Sequence, residues 1–397
     1  MTKPQTDLVL AGHGLVSHAI GGNPVTTTPP PWVIIANYPR RPSPYFAHLE
    51  RHAAGLPLAF RPGLGDLDPA WPPGVINLHR LKRLYRDPGT GAPTMRAAES
   101  FLARLAALKE EGWRVAWTVH GLLPADGQPP GPADHAATAG VLELADAVLC
   151  HTRADARAIE GRTKARTWVA GWSCLDPPSP PAPEITALAA QMRRWPLAFL
   201  LMGNLTAYKD APAVAGMFLR RTRRACLVVA GHCSDPHASG ALERAAAASG
   251  GRVLLHRRHV DPGQAGHLYA AAHAAVCPYR TDGRYAFLAD VFYPGSVGTA
   301  AGFAVPVIAP ALAAVEEITG GQLRWLVRPG TPAALGDAMA AAESGLLNLA
   351  AHGDPRDDRP AAVSTDRGRQ AAATYQQAAR WLAGEESALA PCRPCFG

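Results

Sequence analysis

The residues with the clearest chemical promise lie in LAFLLMGNLTAYK, Leu197 to Lys209, where an apolar run ends at Gly203 and a lysine follows six residues later. A buried strand that empties into a glycine-containing loop with a cation beyond it is how parallel α/β sheets hold nucleotide phosphates. Lys209 is also the only lysine after Lys164, in a chain whose positive charge is almost all arginine. The alternative role for it is a solvated residue at a helix start.

The surrounding elements must place that loop. WVIIANYP, Trp32 to Pro39, reads as a first strand followed by the helical segment YFAHLERHAAG. GVINLH, a helix around Met95 to Glu110, RVAWTVH, a helix around Ala136 to Leu144, AVLCHT and TWVAG continue the alternation. Such β/α alternation implies a parallel sheet covered by helices on both faces. LDPPSPPAPE, Leu175 to Glu184, is too proline-dense for a strand or helix interior and reads as an interdomain linker. A second alternating series follows: LAFLLMGN, ACLVVAGHC, RVLLHRRH, AAVCPYR, VPVIAP and RWLVRP, then a loop and a helix near Gly368 to Leu382. The expected fold is therefore α/β, with two Rossmann-like doubly wound domains facing each other across a cleft at the carboxyl ends of both sheets. The expected boundaries are an N-terminal arm at 1–31, domains at 32–176 and 177–365, and a terminal helical segment at 366–397 that packs back on the first domain.

Composition narrows the class of function. At 397 residues the chain can form two domains with separate cores. With 48% hydrophobic and 18% charged residues it reads as a soluble globular protein. No apolar run approaches the roughly 20 residues that span a bilayer, and the start lacks a basic leader, so no integral membrane segment and a cytoplasmic location are expected. A net charge of +7 is compatible with anionic ligands. The arginines are scattered apart from RRTRR at Arg220 to Arg224 and HRRH at His256 to His259, so nucleic acid is not an expected partner. Seven cysteines, with Cys150, Cys226 and Cys277 inside apolar runs, fit buried free thiols. The terminal CRPC, Cys392 to Cys395, has metal-ligand spacing but no partner pair, so no metal is expected.

Taken together, the order of elements and motifs resembles a GT-B glycosyltransferase, most of all glycosyltransferase family 4 in its bacterial branch with an Asn-Pro-Tyr loop after the first strand. The resemblance covers roughly Trp32 to Leu382. SPYFAHLERH from Ser43 resembles that branch's NPY-led helix, with serine in place of asparagine. GVINLHRLKRLY resembles its histidine-bearing strand end, and WTVHGLLPADG its VHNLLP element. MGNLTAYKD resembles FGRxxxYKG, with Asn204 where the family usually has arginine. CPYRTDGRYAFLADVFYPGSVGTAAGFAVPVIAP resembles the PYR, Gly-Ser and PVVAP elements. The family's glutamate pair is absent, since Thr299 falls where the second would lie.

The resemblance implies a first domain that binds the acceptor and a second that binds a nucleotide sugar. It implies transfer of a hexose or aminohexose from a nucleoside diphosphate sugar to an acceptor hydroxyl, retaining and without metal. No cofactor is expected beyond the sugar nucleotide as co-substrate, with UDP-sugar favoured over GDP-sugar. His120 and Lys209 are the expected catalytic residues. His120 sits where a strand leaves the sheet, where an imidazole can act as a base or orient the substrates. The donor site implied is Gly203, Asn204, Lys209, Tyr279, Arg280, Gly295, Ser296 and Glu317. Ser296 could equally be a plain helix cap. Arg280 is a possible substitute for the missing arginine, and Glu317 for the missing ribose contact. Asp282 and Asp290 could touch sugar hydroxyls or form an acidic loop. Asn37, Tyr45 and His79 are the implied acceptor-side residues, His79 also being readable as a core histidine. The acceptor is expected to be a soluble small molecule or glycan, in natural-product (antibiotic) or glycan biosynthesis. A nucleotide-sugar 2-epimerase and a non-catalytic glycosyltransferase-like partner remain as alternatives.

Overall fold

The computed structural model describes residues 31–36, 43–126, 128–171, 179–354, 356 and 366–385. One sheet contains β1 (Trp32–Ile35), β2 (Leu58–Arg61), β3 (Val75–Leu78), β4 (Arg114–Thr118), β5 (Ala147–Cys150) and β6 (Arg166–Val169), in the order β2-β1-β3-β4-β5-β6. The second contains β7 (Leu197–Met202), β8 (Ala225–Ala230), β9 (Val253–His256), β10 (Ala274–Val276), β11 (Val307–Pro310) and β12 (Arg324–Val327), in the order β12-β11-β10-β7-β8-β9. All strand pairs are parallel. Around the first sheet lie α1 (Pro44–His52), α2 (Met95–Glu110), α3 (Pro132–Leu144) and α4 (Arg153–Glu160). The second is flanked by α5 (Pro183–Arg193), α6 (Ala211–Arg221), α7 (Pro236–Ala247), α8 (Pro262–Ala271), α9 (Gly295–Gly302), α10 (Ala313–Ile318) and α11 (Ala334–Ala350), after which α12 (Asp366–Leu382) follows.

Parallel strands covered on both sides must be apolar on both sides, and β7 shows how the sequence meets this. Leu197, Phe199 and Leu201 enter one core, with α6 and α11, whereas Ala198 and Leu200 enter the other, with α5 and α8. The first sheet divides in the same way: Val33 and Ile35 face α2 and α3, and Trp32 and Ile34 face α1 and α12. Helix α12 gives Tyr375, Ala378 and Leu382 to this last core, so the end of the described chain packs on the first sheet. Side-chain caps fix several helix starts: Thr94 for α2, Thr152 for α4 and Asp235 for α7.

Each sheet has one point where strand order reverses. In the first sheet it lies between β1 and β3, and in the second between β7 and β10. Open α/β sheets bind ligands at the carboxyl ends of strands beside such a point. That places His79 in the first domain, and Gly203 and Tyr279 in the second, at the edges where chemistry is expected.

Strand β2 was not among the expected elements, because LAFR shows no long apolar run and is only partly buried at the sheet edge. The expected linker overlaps the start of α5 at Pro183. Leu175 to Pro178, the arm at 1–30, the terminal CRPC and Asn37 lie outside the described residues.

Candidate active site

The loop after β7 depends on two glycines. Gly203 has φ +106°, a conformation that side-chain-bearing residues rarely adopt. At Gly231, after the neighbouring strand β8, a Cβ would lie 1.9 Å from the Gly203 carbonyl oxygen. Both strand ends can therefore touch, and the loop folds back over the end of β7.

That return places Lys209 inside. Only 5% of it is exposed. Its ammonium donates to Met202 O at 3.2 Å and to Ser296 Oγ at 3.3 Å, and Ser296 Oγ donates to Met202 O at 3.3 Å. Among the described residues no carboxylate pairs with it. Burial pulls the Lys209 ammonium down to about 8, because the charged form has lost water without gaining a counter-ion. One of its three hydrogens has no partner in this arrangement. The result is a desolvated cation held against the serine in the first turn of α9.

The neighbouring expected residues divide in two. Gly203, Lys209, Tyr279 and Ser296 come together: Ser296 N donates to Tyr279 Oη at 3.1 Å. Gly295 N donates to Tyr293 O at 3.0 Å, so both amides at this helix start are met by the protein's own oxygens. Asn204 points to solvent as an exposed residue. Arg280 lines the edge of this loop, but Asp282 holds its guanidinium through bonds of 3.0 and 2.9 Å, and Asp210 lies 3.5 Å away. Glu317 is committed elsewhere: its two carboxylate oxygens accept the Arg153 and Ala154 amides at 2.8 Å each. It therefore caps α4 of the opposite domain, a favourable place for an anion.

Across the cleft, three strand ends each present a histidine: His79 after β3, His120 after β4 and His151 after β5. They form a line. His79 Nδ1 lies 2.9 Å from His120 Nε2, and His120 Nδ1 lies 3.0 Å from His151 Nε2. His151 Nδ1 is 2.8 Å from Gly171 O. Burial pushes all three imidazoles below their ordinary range, His151 to about 4, so all are neutral at pH 7. Neutrality fixes the direction of the bonds. A carbonyl oxygen only accepts, so His151 Nδ1 carries the hydrogen and its Nε2 accepts from His120 Nδ1. By the same step His120 Nε2 accepts from His79 Nδ1. The lone pair left over is on buried His79 Nε2, which has no hydrogen-bond partner.

Tyr45 packs edge-on to all three rings, with centroids 6.0, 5.7 and 5.5 Å away. Its hydroxyl meets Tyr375 of α12 at 2.8 Å, and Tyr375 meets Thr118 at 2.7 Å. Tyr45 is 2% exposed and His79 3%, whereas His120 is only partly buried. Of this cluster His120 alone reaches the cleft, and both of its ring nitrogens are engaged. His151 was not singled out from sequence, although AVLCHT repeats the strand-then-histidine pattern of GVINLH and WTVH.

The domains are joined by the segment before α9. Leu122 N donates to Val291 O at 2.9 Å and Tyr293 N to His120 O at 3.2 Å, around a bridge between Gly121 and Phe292. The Tyr293 ring packs against His151 at a tilt of 55°, with centroids 4.5 Å apart. Phe292 packs on Tyr208 and Tyr279 at 6.0 and 5.3 Å, linking the clasp to the Lys209 loop. Its amide also bonds the buried Asp155, whose carboxyl burial raises to about 6. Asp290 completes the contact with a paired interaction to Arg162 at 2.6 and 2.8 Å. Among the described residues no group of three or more His, Cys, Asp or Glu converges as metal ligands do, and no helix is long and apolar enough to cross a membrane.

Comparison with known proteins adds an independent finding. Residues 197–343 match the family model described as "Glycosyl transferases group 1". A search of curated proteins finds no match. Among solved structures, an apo structure of OtsA is similar at a TM-score of 0.50 and 12% identity, covering 85% of this chain and 78% of that one. HepE of Anabaena in complex with UDP is similar at 0.49 and 14%, covering 85% and 89%. An α,α-trehalose-phosphate synthase (UDP-forming) from Burkholderia vietnamiensis gives 0.49 and 14%, covering 79% and 75%. At these identities the likeness is one of fold.

Proposed function

We propose that this chain, whose residues 197–343 match the glycosyl transferases group 1 model and whose two-domain fold is of the GT-B kind, transfers a hexose or aminohexose from a UDP-sugar to an acceptor hydroxyl, with retention and without a metal. The observation that carries the reading is the buried, uncompensated Lys209 ammonium beside Ser296 Oγ at 3.3 Å. As the anomeric C–O bond breaks, the leaving diphosphate gains negative charge. A preorganised cation and hydroxyl in a water-poor site stabilise that charge more than they stabilise the intact donor. This is the work a divalent ion does in metal-dependent transfer.

Retention draws support from the histidine line. An inverting reaction needs a base on the acceptor side, and both nitrogens of His120 are already bonded. The nearby carboxylates are also committed: Asp282 to Arg280, Asp290 to Arg162 and Glu317 to the start of α4. In retention the leaving phosphate itself can take the acceptor proton. His120 then orients rather than deprotonates. The acceptor is proposed to be a natural product or glycan precursor bound by the first domain.

The test is a thermal-shift series with UDP, GDP, ADP and dTDP, followed by proton NMR of the product from the stabilising sugar nucleotide. UDP should raise Tm in proportion to ln(1 + [L]/Kd), and the product anomer should match the donor's. A product of opposite anomeric configuration overturns retention. Epimer formed from donor alone overturns transfer, and absence of stabilisation by any of the four nucleotides overturns the site.

A further inference from the structure

The first two amides of α9 are bonded to oxygens that also belong to the contact between the domains, or pack on it. Gly295 N donates to Tyr293 O at 3.0 Å across Pro294, whose φ of −83° and ψ of 80° make these three residues an inverse γ-turn. Ser296 N donates to Tyr279 Oη at 3.1 Å. Tyr293 is also the residue whose own amide donates to His120 O at 3.2 Å, and the Tyr279 ring packs on Phe292 with centroids 5.3 Å apart. Moving either oxygen off its amide therefore moves a clasp residue or a ring packed on one.

Tyr293 has little slack with which to absorb such a movement. Its ring lies against His151 of the first domain, and a Cβ at Gly298 of α9 would sit 1.9 Å from its hydroxyl oxygen. The side chain is thus wedged between the domains. The turn itself offers few ways to open: proline locks φ at position 294, and α9 is anchored in the second core through Val297 and Ala300. Release of Gly295 N then falls on Tyr293, whose carbonyl serves the turn and whose amide serves the clasp. A diphosphate held by Lys209 and Ser296 Oγ would demand that release, because an anion bonds helix-start amides more strongly than a neutral oxygen does.

We propose that nucleotide-sugar binding and closure of the clasp compete: a diphosphate seated on Gly295 N and Ser296 N displaces Tyr293 O and Tyr279 Oη, and the contact between Tyr293 and His120 opens. This is a regulation of the donor site and rests on the donor reading above. Coupling is reciprocal, so whatever weakens the clasp tightens the donor. The test is amide hydrogen exchange of the full chain, read at Leu122 and Tyr293 with and without saturating UDP, beside calorimetric titration of UDP into wild type and Arg162→Gln. Bound UDP should speed exchange at both amides about tenfold or more while those of β7 stay protected. Arg162→Gln, which removes the paired interaction with Asp290, should bind UDP about two- to fivefold more tightly. Pro294→Gly, which frees the γ-turn with no ligand present, should speed exchange at the same two amides. Exchange that UDP leaves unchanged or slows, exchange that Pro294→Gly leaves unchanged, or UDP affinity in Arg162→Gln no tighter than in wild type overturns the proposal. Absence of UDP binding, with faster exchange in Pro294→Gly, overturns the donor reading and leaves the coupling of turn to clasp standing.

Discussion

Replacing Lys209 by methionine should stabilise the protein while removing its activity. The ammonium is held at about 8 against 10.5 when free, a difference of 2.5. At 1.36 kcal/mol per unit this is roughly 3 kcal/mol of desolvation carried by the folded state at neutral pH. Methionine fills nearly the same volume without the charge. The change gives up two hydrogen bonds, each worth about 0.5–1.5 kcal/mol net, but Met202 O keeps the one from Ser296 Oγ. The expected net gain is therefore up to about 2 kcal/mol. The sign with pH follows from the same numbers. Because the folded-state value is depressed, stability falls as pH drops from 10.5 toward 8, where the unfolded chain binds the proton first. Urea denaturation across pH 7 to 10 should show that slope in wild type and not in the variant, and turnover should drop by orders of magnitude. A variant less stable than wild type at pH 7, or one with unchanged turnover, refutes the reasoning.

Three further outcomes follow from the geometry. His151→Gln should preserve the fold at pH 7, since a carboxamide can donate to Gly171 O and accept from His120. Sign matters here: His151 is depressed to about 4, so its contribution is intact above 6.5 and is lost as pH falls toward 4, about 3 kcal/mol at most. Asp155, raised to about 6, acts in the opposite direction as pH rises from 3.8, so the difference in urea stability between wild type and His151→Gln is the quantity to follow. Gly203→Ala should cost about 1–3 kcal/mol, because its φ of +106° is strained for any side chain and a Cβ would sit 3.1 Å from Lys209 Nζ. Denaturation midpoints and UDP titration report both losses. Glu317→Ala leaves two α4 amides uncapped, at about 0.5–2 kcal/mol, and small-angle scattering should show a larger radius of gyration if the carboxylate helps hold the domains together.

Much of the fold was legible because fully buried parallel strands write themselves as short apolar runs, as LAFLLM and ACLVVA do. Strand β2 was missed because it lies at an edge and needs no such run. Lys209 stood out because its local pattern is complete in thirteen residues. The role of Glu317 was not legible, since it is decided by a partner across the cleft, the start of α4, whereas Arg280 is held by Asp282 only two residues on, a pairing that the segment's sequence allows but does not require. His151 could have been found by asking which strands end in histidine, but its role could not. That role depends on neighbouring strands aligning three side chains at 2.9 to 3.0 Å, which is a property of register and not of any one segment.

The return of α12 to the first sheet has a mechanical corollary. Tyr375 of α12 meets the Tyr45 hydroxyl at 2.8 Å and Thr118 at 2.7 Å, so a residue from the far end of the described chain braces the ring that packs against all three histidines. Loss of α12 should therefore loosen the imidazole line as well as uncover the first sheet.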